Sequence, residues 1–526
     1  MYRLEYQISF EKSPSLCGVA EVEAGEFHLR LELPEDKIVR AQAVLRVDCA
    51  ADEKVFINGY QTWTLCPEYG REDFIRGARH MPKPIVKHFG IDRYGDYHFV
   101  DYPEKKGFFH GESWCYFRLG ERYRLIASLD EKPGYTLFSY DHEFSQLRIE
   151  RDCAGIRCGG EYSLFDLFFA EGSEDEVFDG WFAALKLPAL RAKPMTGYSS
   201  WYNRYEDINE DSIRADLEGC AKLLQPGDLF QIDDGWEPAV GDWLETDPKK
   251  FPKGLKPFVD DIHARGLKAG LWLAPFCCCK KSVIYRKHPD WLYKHEGKSW
   301  YCGCNWGGFY SLDIDNPQVV DYIERSFKRV FDDWGFDLVK LDFLYAAAPF
   351  GDEFETRAAR MIRAMELLRR CCGDKLILGC GVPVMPAFGY VDYCRISCDV
   401  GLDWDNHPVM RYSNLEHVST RHAILNSVFR RQLNGRAYLS DPDVFFLRED
   451  NLKLKPQQKH ILATVNSLFG SLLLCSDNMG QYSEEARAQY AQLLRNREAK
   501  NIRVNADAWL SVSYELDGVR HTLKIE

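Results

Sequence analysis

The spacing of apolar residues changes along the chain. Up to about residue 185, short segments such as 26–33 alternate apolar and polar side chains, and turns that contain Gly or Pro separate them. A period of two residues is typical of β-strands that bury one face, and no long helical period appears in this part. The pattern predicts an N-terminal β-sandwich domain over residues 1–185.

From about residue 190 onwards, strand-like apolar segments alternate with amphipathic helical ones. Asn209 and Asn316 each precede an amphipathic helical pattern, and we expect them to be N-caps. Gly335 follows the second pattern, and we expect it to end that helix. The alternation predicts parallel strands joined by helices, and eight strands are the number in a (β/α)8 TIM barrel, which we expect over residues 190–480. The candidate strands are residues 196–202, 228–236, 268–276, 337–344, 375–382, 393–400, 437–441 and 467–477. Residues 481–526 predict a C-terminal helix and a small β-region.

The fourth candidate strand carries the first chemical signal. Lys340 and Asp342 are two residues apart, so on a strand their side chains share a face, and in a barrel that face is the interior. A neighbouring lysine stabilises the ionised form of a carboxylate, which suits a carboxylate nucleophile. A buried ion pair without a catalytic role explains the same two residues equally well.

Carboxylates also follow other candidate strands, at the end where barrels carry their active sites. A retaining glycosidase needs one ionised carboxylate and a second, protonated one. We assign the nucleophile to Asp342 and the acid/base to Asp399, whose pKa a neighbouring carboxylate should raise. Asp403 and Asp405 are rival acids. We assign Arg395 to substrate hydroxyls or to the orientation of its loop, rather than to a pair with Asp399.

Other strand ends offer groups that suit sugar binding. Asp233 and Asp234 would accept hydrogen bonds from hydroxyls, although Asp-Asp-Gly by itself also predicts a plain tight turn. Trp201 and Trp272 would present apolar faces to a sugar ring. Tyr202, which follows Trp201 at the end of the first strand, is a further candidate for substrate binding.

Several motifs follow one another in a fixed order. They are residues 197–202, 232–236, 241–243, 250–255, 270–276, 340–342, 395–399 and 441–443. Taken in series, they resemble the α-galactosidases (melibiases) of glycoside hydrolase family 36, most of all the compact, thermophile-type branch. Cys398 stands where relatives often have Pro, and the C-terminal β-region is short for the family.

The resemblance implies a role for each residue of the site. Asp342 falls on the family's nucleophile and Asp399 on its acid/base, in a double displacement that retains the anomeric configuration. The positions implied to hold the galactose hydroxyls are Asp233, Asp234, Lys340 and Arg395.

Two further residues are implied at the pocket. Residues 58–63 alone predict a hairpin turn with Trp63 in the core, whereas the resemblance implies that the N-terminal domain lends Trp63 to the barrel. Cys380 is implied to face the C2 substituent of the sugar. It lies in the segment 379–383, whose residues are small enough to leave room for an N-acetyl group.

We therefore expect a retaining exo-glycosidase that hydrolyses terminal α-linked galactose from oligosaccharides or glycoconjugates. An α-N-acetylgalactosaminidase and a galactosyl-transferring relative stay open on the same scaffold, since hydrolysis and transfer share one covalent intermediate. An alternative from a different class is a catalytically inactive carbohydrate-binding barrel.

Charge and composition indicate which binding partners and which cellular location to expect. The net charge of −13 and the lack of a Lys/Arg-rich run disfavour nucleic acid. No leader pattern and no stretch of roughly 18 uncharged apolar residues occurs, so we expect no membrane association. Eighteen scattered cysteines in a long chain predict reduced thiols and a cytoplasmic location. We find no Cys or His pairs with metal-ligand spacing and expect no metal and no cofactor. A small α-galactoside is the expected partner, and a homo-oligomer stays open.

Overall fold

The computed structural model describes residues 2–78, 81–93, 95–405, 417–507 and 509–525. Its N-terminal part contains ten antiparallel strands. They are Tyr2–Phe10, Leu16–Val22, Gly25–Arg46, Lys54–Ile57, Phe108–Glu112, Trp114–Leu119, Arg122–Ser128, Thr136–Asp141, Gln146–Arg151 and Arg157–Gly172. The long strand Gly25–Arg46 pairs with Arg157–Gly172 along its first half and with Gln146–Arg151 along its second. It therefore joins two layers around one apolar core, and the predicted β-sandwich is confirmed.

The prediction that this part is all-β is wrong in two places. Glu174–Leu185 is a helix that buries Val177, Phe178 and Trp181. Ser173 and Glu176 form a capping box at its start, which is a helix signal that the sequence itself contains. A shorter helix spans Lys83–Phe89.

The central part is a barrel of parallel strands, as predicted. The eight strands are Met195–Ser199, Leu229–Ile232, Lys268–Leu273, Leu338–Leu341, Leu376–Gly379, Tyr393–Arg395, Leu439–Asp441 and Leu472–Cys475. Each pairs in parallel with the next as far as the seventh. After Pro442 and Asp443 the seventh strand resumes as Val444–Phe445, which pairs with the eighth, and the eighth pairs with the first. The ring is thereby closed.

Helices and short hairpins connect the strands. The helices of the barrel are Trp201–Arg204, Glu210–Cys220, Lys256–Ala264, Val283–Lys287, Pro317–Lys328, Arg357–Cys372, Thr420–Phe429 and Pro456–Phe469. Asn209 and Asn316 cap their helices as predicted, and Gly335 ends the π-helical extension of the second of these. The short strands are Lys294–His295 with Lys298–Ser299, and Cys277–Cys279 with Tyr301–Gly303 and Phe309–Ser311.

A buried arginine joins the sandwich to the barrel. Arg430 is fully buried, and its guanidinium donates hydrogen bonds to Asn58 Oδ1 at 3.0 Å and to the carbonyl oxygens of Gln61 and Ile396 at 2.9 Å each. It also donates to the carbonyl of Thr62. Residues 58–64 of the sandwich are therefore held against the barrel.

The C-terminal part is a helix, Glu484–Asn496, followed by the three strands Lys500–Asn505, Ser511–Leu516 and Val519–Lys524. The predicted C-terminal helix and small β-region are thus present, while the domain limits at 1–185, 190–480 and 481–526 stay predictions. All eighteen cysteines are reduced thiols. Within the described ranges, no helix is both long and apolar enough to cross a bilayer.

Candidate active site

The predicted catalytic and binding carboxylates meet at one end of the barrel. Asp233 and Asp234 follow the second strand, Asp342 follows the fourth, and Asp399 lies four residues beyond the end of the sixth. Because the carboxyl ends of parallel barrel strands face the same way, these side chains share one mouth.

Asp342 accepts hydrogen bonds from one side-chain donor and one backbone donor. Its Oδ2 accepts a hydrogen bond from Trp272 Nε1 at 3.1 Å, and its Oδ1 accepts one from the backbone nitrogen of Phe343 at 2.8 Å. Burial raises the pKa of Asp342, the positive charge of Lys340 opposes that rise, and the Asp399 carboxylate adds to it. Lys340 thus acts in the predicted direction, but burial has the larger effect.

Lys340 makes its direct contact with a different carboxylate. Its Nζ lies 3.0 Å from Asp233 Oδ2, and both side chains are almost fully buried. The same oxygen accepts a hydrogen bond from Gln231 Nε2 at 2.7 Å, while Asp233 Oδ1 accepts one from the backbone nitrogen of Asp234 at 3.0 Å. Asp233 is therefore fixed by a network that connects the second and fourth strands.

Arg395 forms ion pairs with three carboxylates. Its Nη1 lies 2.9 Å from Asp399 Oδ1, its Nε 3.0 Å from Asp441 Oδ2, and its Nη2 2.8 Å from Asp443 Oδ1. The guanidinium is 2% exposed, so it needs nearby anions to offset its desolvation. The expectation that Arg395 does not pair with Asp399 is therefore wrong, while its assignment to substrate hydroxyls or to the orientation of its loop stays a prediction. The Asp399 side chain itself is 36% exposed and accessible from the mouth.

The cluster around Arg395 includes a carboxyl group that the sequence did not single out. Burial raises the pKa of Asp443 to about 7, although Arg395 opposes that rise. Tyr202 is buried and donates a hydrogen bond from its hydroxyl to Asp443 Oδ2 at 2.5 Å. Tyr202 therefore supports this cluster and does not offer a face to a sugar.

Comparison with known proteins agrees with this geometry. Residues 189–357 match the family model named Melibiase. An α-galactosidase of Lactobacillus acidophilus is 32% identical over 151 residues, which cover 27% of this chain and 20% of that protein. An α-galactosidase of Escherichia coli is 29% identical over 196 residues, which cover 35% of this chain and 27% of that protein. The matches thus span about a fifth to a quarter of these relatives' own lengths.

Among solved structures, an α-galactosidase from Thermus thermophilus in complex with p-nitrophenyl α-D-galactopyranoside has a TM-score of 0.74 and 26% identity, covering 94% of this chain and 98% of that one. The chain is thus similar to the Melibiase family over residues 189–357 and to this α-galactosidase over nearly its whole length. A family 36 α-galactosidase from Geobacillus stearothermophilus shares the fold, with a TM-score of 0.59 and 15% identity over 97% of this chain and 73% of that one. The nearly full-length match to the Thermus protein agrees with the resemblance to the compact branch.

The sandwich contributes Trp63 to the mouth of the barrel. Trp63 Nε1 donates to Cys380 Sγ at 3.3 Å, and its ring lies 5.1 Å from that of Phe343. Gly381 has a φ of +58°, and a Cβ at this position would approach the Trp63 ring to 2.7 Å. The turn at Gly381 therefore lets the two domains meet at this point, and the expectation of a Trp63 buried in the sandwich core is wrong.

The remaining predicted aromatic residues differ in exposure. Trp272 is only 2% exposed, so it orients Asp342 through its indole N–H and presents little face to a ligand. Trp201 is half-buried, with its ring 5.2 Å from that of Tyr205. Trp201 therefore keeps an accessible surface that suits the predicted contact with a ring.

Two residues beside Asp234 were missed in the sequence. Trp306 Nε1 donates to Asp234 Oδ2 at 2.9 Å, and the buried carboxyl group of Glu237 lies beside Asp234. Burial, and then the charge of Glu237, raises the pKa of Asp234 well above its usual range. Glu237 could have been found as a third acid after the second strand, whereas Trp306 belongs to a distant loop and has no local signal.

The two rival acids occupy different surroundings. Asp405 Oδ1 lies 2.9 Å from His417 Nε2, so this carboxylate is engaged by an imidazole. The carbonyl oxygen of Asp403 accepts a hydrogen bond from Thr420 Oγ1 at 2.6 Å. Neither residue makes the contact with Arg395 that ties Asp399 to the carboxylate cluster of the mouth.

Proposed function

We propose that the chain is a retaining exo-glycosidase that removes terminal α-linked galactose from oligosaccharides or glycoconjugates. The observation that carries the proposal is a buried Asp342, with a hydrogen bond on each oxygen, at the same barrel end as the accessible Asp399. Relatives that match part of this chain are named α-galactosidases, and the Thermus protein has been solved with p-nitrophenyl α-D-galactopyranoside and with stachyose.

The proposed reaction is a double displacement. Asp342 attacks the anomeric carbon while Asp399 protonates the leaving oxygen; Asp399 then deprotonates a water molecule, which releases galactose with its configuration retained. Asp399 must break its pair with Arg395 to carry a proton. Arg395 keeps Asp441 and Asp443 as partners when this happens, so its buried charge stays compensated.

The hydroxyl contacts are proposed from the same geometry. Asp234, with Trp306 and Glu237 beside it, is placed to bind hydroxyls of the terminal sugar, and Asp233 and Lys340 supply a rigid polar floor. Trp63 and Cys380 lie together at the wall that we assign to the C2 side.

Substitution separates the two catalytic roles. With p-nitrophenyl α-galactoside, Asp342→Ala should abolish turnover, because no nucleophile remains. Asp399→Ala should be rescued by azide, since nitrophenolate leaves without protonation and azide needs no general base. Asp403→Asn is the matched control and should keep most of the activity. Full activity of Asp342→Ala would refute the proposal.

Two further measurements separate the alternatives. NMR of the first-formed sugar anomer should show retention, and in a galactose complex the carboxyl groups of Asp342 and Asp399 should lie roughly 5–6 Å apart. Faster cleavage of the N-acetylgalactosaminide would favour an α-N-acetylgalactosaminidase, and predominant oligosaccharide products would favour a transferase. No turnover of any α-glycoside would indicate an inactive binding protein.

We also propose a cytoplasmic location, because all eighteen cysteines are thiols and none forms a disulfide. Assembly into a homo-oligomer stays a prediction that light scattering can test.

A further inference from the structure

A second cluster of ligand-forming side chains lies behind the loop that carries Asp399. Asp405, His417 and His422 each offer one potential ligand atom, and these atoms all lie within 4.8 Å of one another. Both histidines are 5% exposed. The cluster has no part in the proposed reaction, and the search for metal-ligand spacings in the sequence did not find it, because its residues are 12 and 5 positions apart.

We propose that Asp405, His417 and His422 form a binding site for a divalent transition metal ion, with zinc as the expected occupant. Imidazole nitrogens combined with one carboxylate are a donor set that suits zinc, nickel or copper, whereas magnesium and calcium prefer oxygen alone. Zinc binds nitrogen and oxygen at about 2.0–2.2 Å, so ligand atoms around it lie about 3–3.5 Å apart. His417 Nε2 and Asp405 Oδ1 are 2.9 Å apart, close to that spacing, and the three ligand atoms, which lie within 4.8 Å of one another, would have to move closer together around an ion.

The hydrogen bonding of His422 supports a ligand at this point. Its Nδ1 is buried and has no hydrogen-bond partner among the residues that the structure describes. A buried polar atom without a partner has lost its hydration without gaining a hydrogen bond, so such atoms are rare in native proteins. The ring of His422 lies 4.6 Å from that of His417, which keeps both imidazoles at the same small volume.

The position of the cluster gives the metal a structural role. The backbone nitrogen of Ser419 donates to the carbonyl of Asp399 at 3.0 Å, and Thr420 Oγ1 donates to the carbonyl of Asp403 at 2.6 Å. His422 lies in the first turn of the helix Thr420–Phe429. A metal held by Asp405 and His422 would add a side-chain clamp between the Asp399 loop and this helix. The binding of metal does not depend on whether Asp399 is the acid/base.

Metal titration of the full chain tests the proposal. Protein stripped with a chelator should bind one equivalent of Zn²⁺ in calorimetry, and the ion should raise its thermal midpoint. Bound Co²⁺ should give weak visible bands without intense sulfur-to-cobalt charge transfer, which separates this site from the exposed thiols of Cys17 and Cys304.

Two variants localise the ion. Asp405→Asn and His422→Gln should each raise the Kd for Zn²⁺ by about 10–100-fold or more. Substitution of residues that only orient metal ligands already lowers metal affinity by about 10–100-fold. The matched control is His460→Gln, at an exposed histidine outside the cluster, which should bind like the parent chain. If His422→Gln does not fold, the conservative Asp405→Asn carries the test. The proposal is overturned if the parent chain binds no stoichiometric Zn²⁺, if the Asp405→Asn Kd is unchanged, or if Co²⁺ shows thiolate ligation.

Discussion

The substitution Trp272→Phe tests how the nucleophile is held. It removes the indole N–H that donates to Asp342 Oδ2 at 3.1 Å, while it keeps an aromatic ring in a site that is 2% exposed. A hydrogen bond to an ionised group contributes about 1.5–3 kcal/mol, and a pKa unit corresponds to about 1.4 kcal/mol. Because the bond favours the ionised form, its loss should raise the pKa of Asp342 by about 1–2 units.

The assay is the pH dependence of kcat/KM on p-nitrophenyl α-galactoside. Asp342 must be ionised to attack, so the acidic limb of the profile should move to higher pH by the same 1–2 units or so. Negative charge leaves the carboxylate as the new bond forms, so part of the hydrogen bond is lost in the transition state of the parent enzyme as well. We therefore expect only about a tenfold fall in kcat/KM at the pH plateau.

Trp243→Phe is the matched control. Trp243 is 1% exposed, its ring lies 5.9 Å from that of Trp272, and its Nε1 donates to no group in the described residues. The control should lose similar packing and leave the acidic limb in place. An unmoved limb in Trp272→Phe, or an equal shift in both variants, would refute the assigned role of the indole N–H.

Three further predictions concern stability. Gly381→Ala should lower the free energy of unfolding by about 1–3 kcal/mol in a denaturant titration, because its φ is +58° and its new Cβ would meet Trp63 at 2.7 Å; an unchanged midpoint would contradict this. Burial raises the pKa of Glu131 from 4.5 to about 7, so its contribution is fully present below pH 4.5 and is lost as pH rises through 7. Glu131→Gln should therefore flatten the stability profile between these values, and a parallel profile would count against the shift. Arg430→Met leaves buried acceptors such as Asn58 Oδ1 without a donor, and should cost about 3–5 kcal/mol by the same titration, whereas a loss below about 1 kcal/mol would show that the domains are joined by other contacts.

The barrel was predictable because its strands are buried on both faces and therefore appear as nearly continuous apolar runs. The residues at which each strand ends were predicted less accurately. The run 228–236 predicts nine residues of strand, but the paired segment is Leu229–Ile232, because the chain turns where Asp233 accepts a hydrogen bond from the next backbone nitrogen. The helix Glu174–Leu185 was overlooked although its capping box is present in the sequence.

The site was predictable where function follows the end of a strand, and not where it depends on contacts between strands. Asp342 and Asp233 are found directly from their positions. The partner of Lys340 is Asp233 rather than Asp342. Lys340 and Asp342 point into the barrel side by side, whereas the second strand, two places away, presents the Asp233 carboxylate directly to the lysine. A contact between residues 107 positions apart leaves no signal in the local sequence around either of them.

The same limit applies to loops. Trp306 reaches Asp234 from a segment 72 positions away, and Arg395 gathers Asp441 and Asp443 from the next strand. These contacts are set by how the loops fold over the barrel mouth, and a single sequence does not specify that geometry.

The central claim is that Asp342 forms the covalent bond to the sugar. An activated fluorinated galactosyl donor, which slows the hydrolysis of a glycosyl-enzyme, should inactivate the protein and add the mass of one sugar to the peptide that contains Asp342. Asp342→Asn should take up no label. A label on any other residue, or complete inactivation without a covalent sugar, would contradict the account.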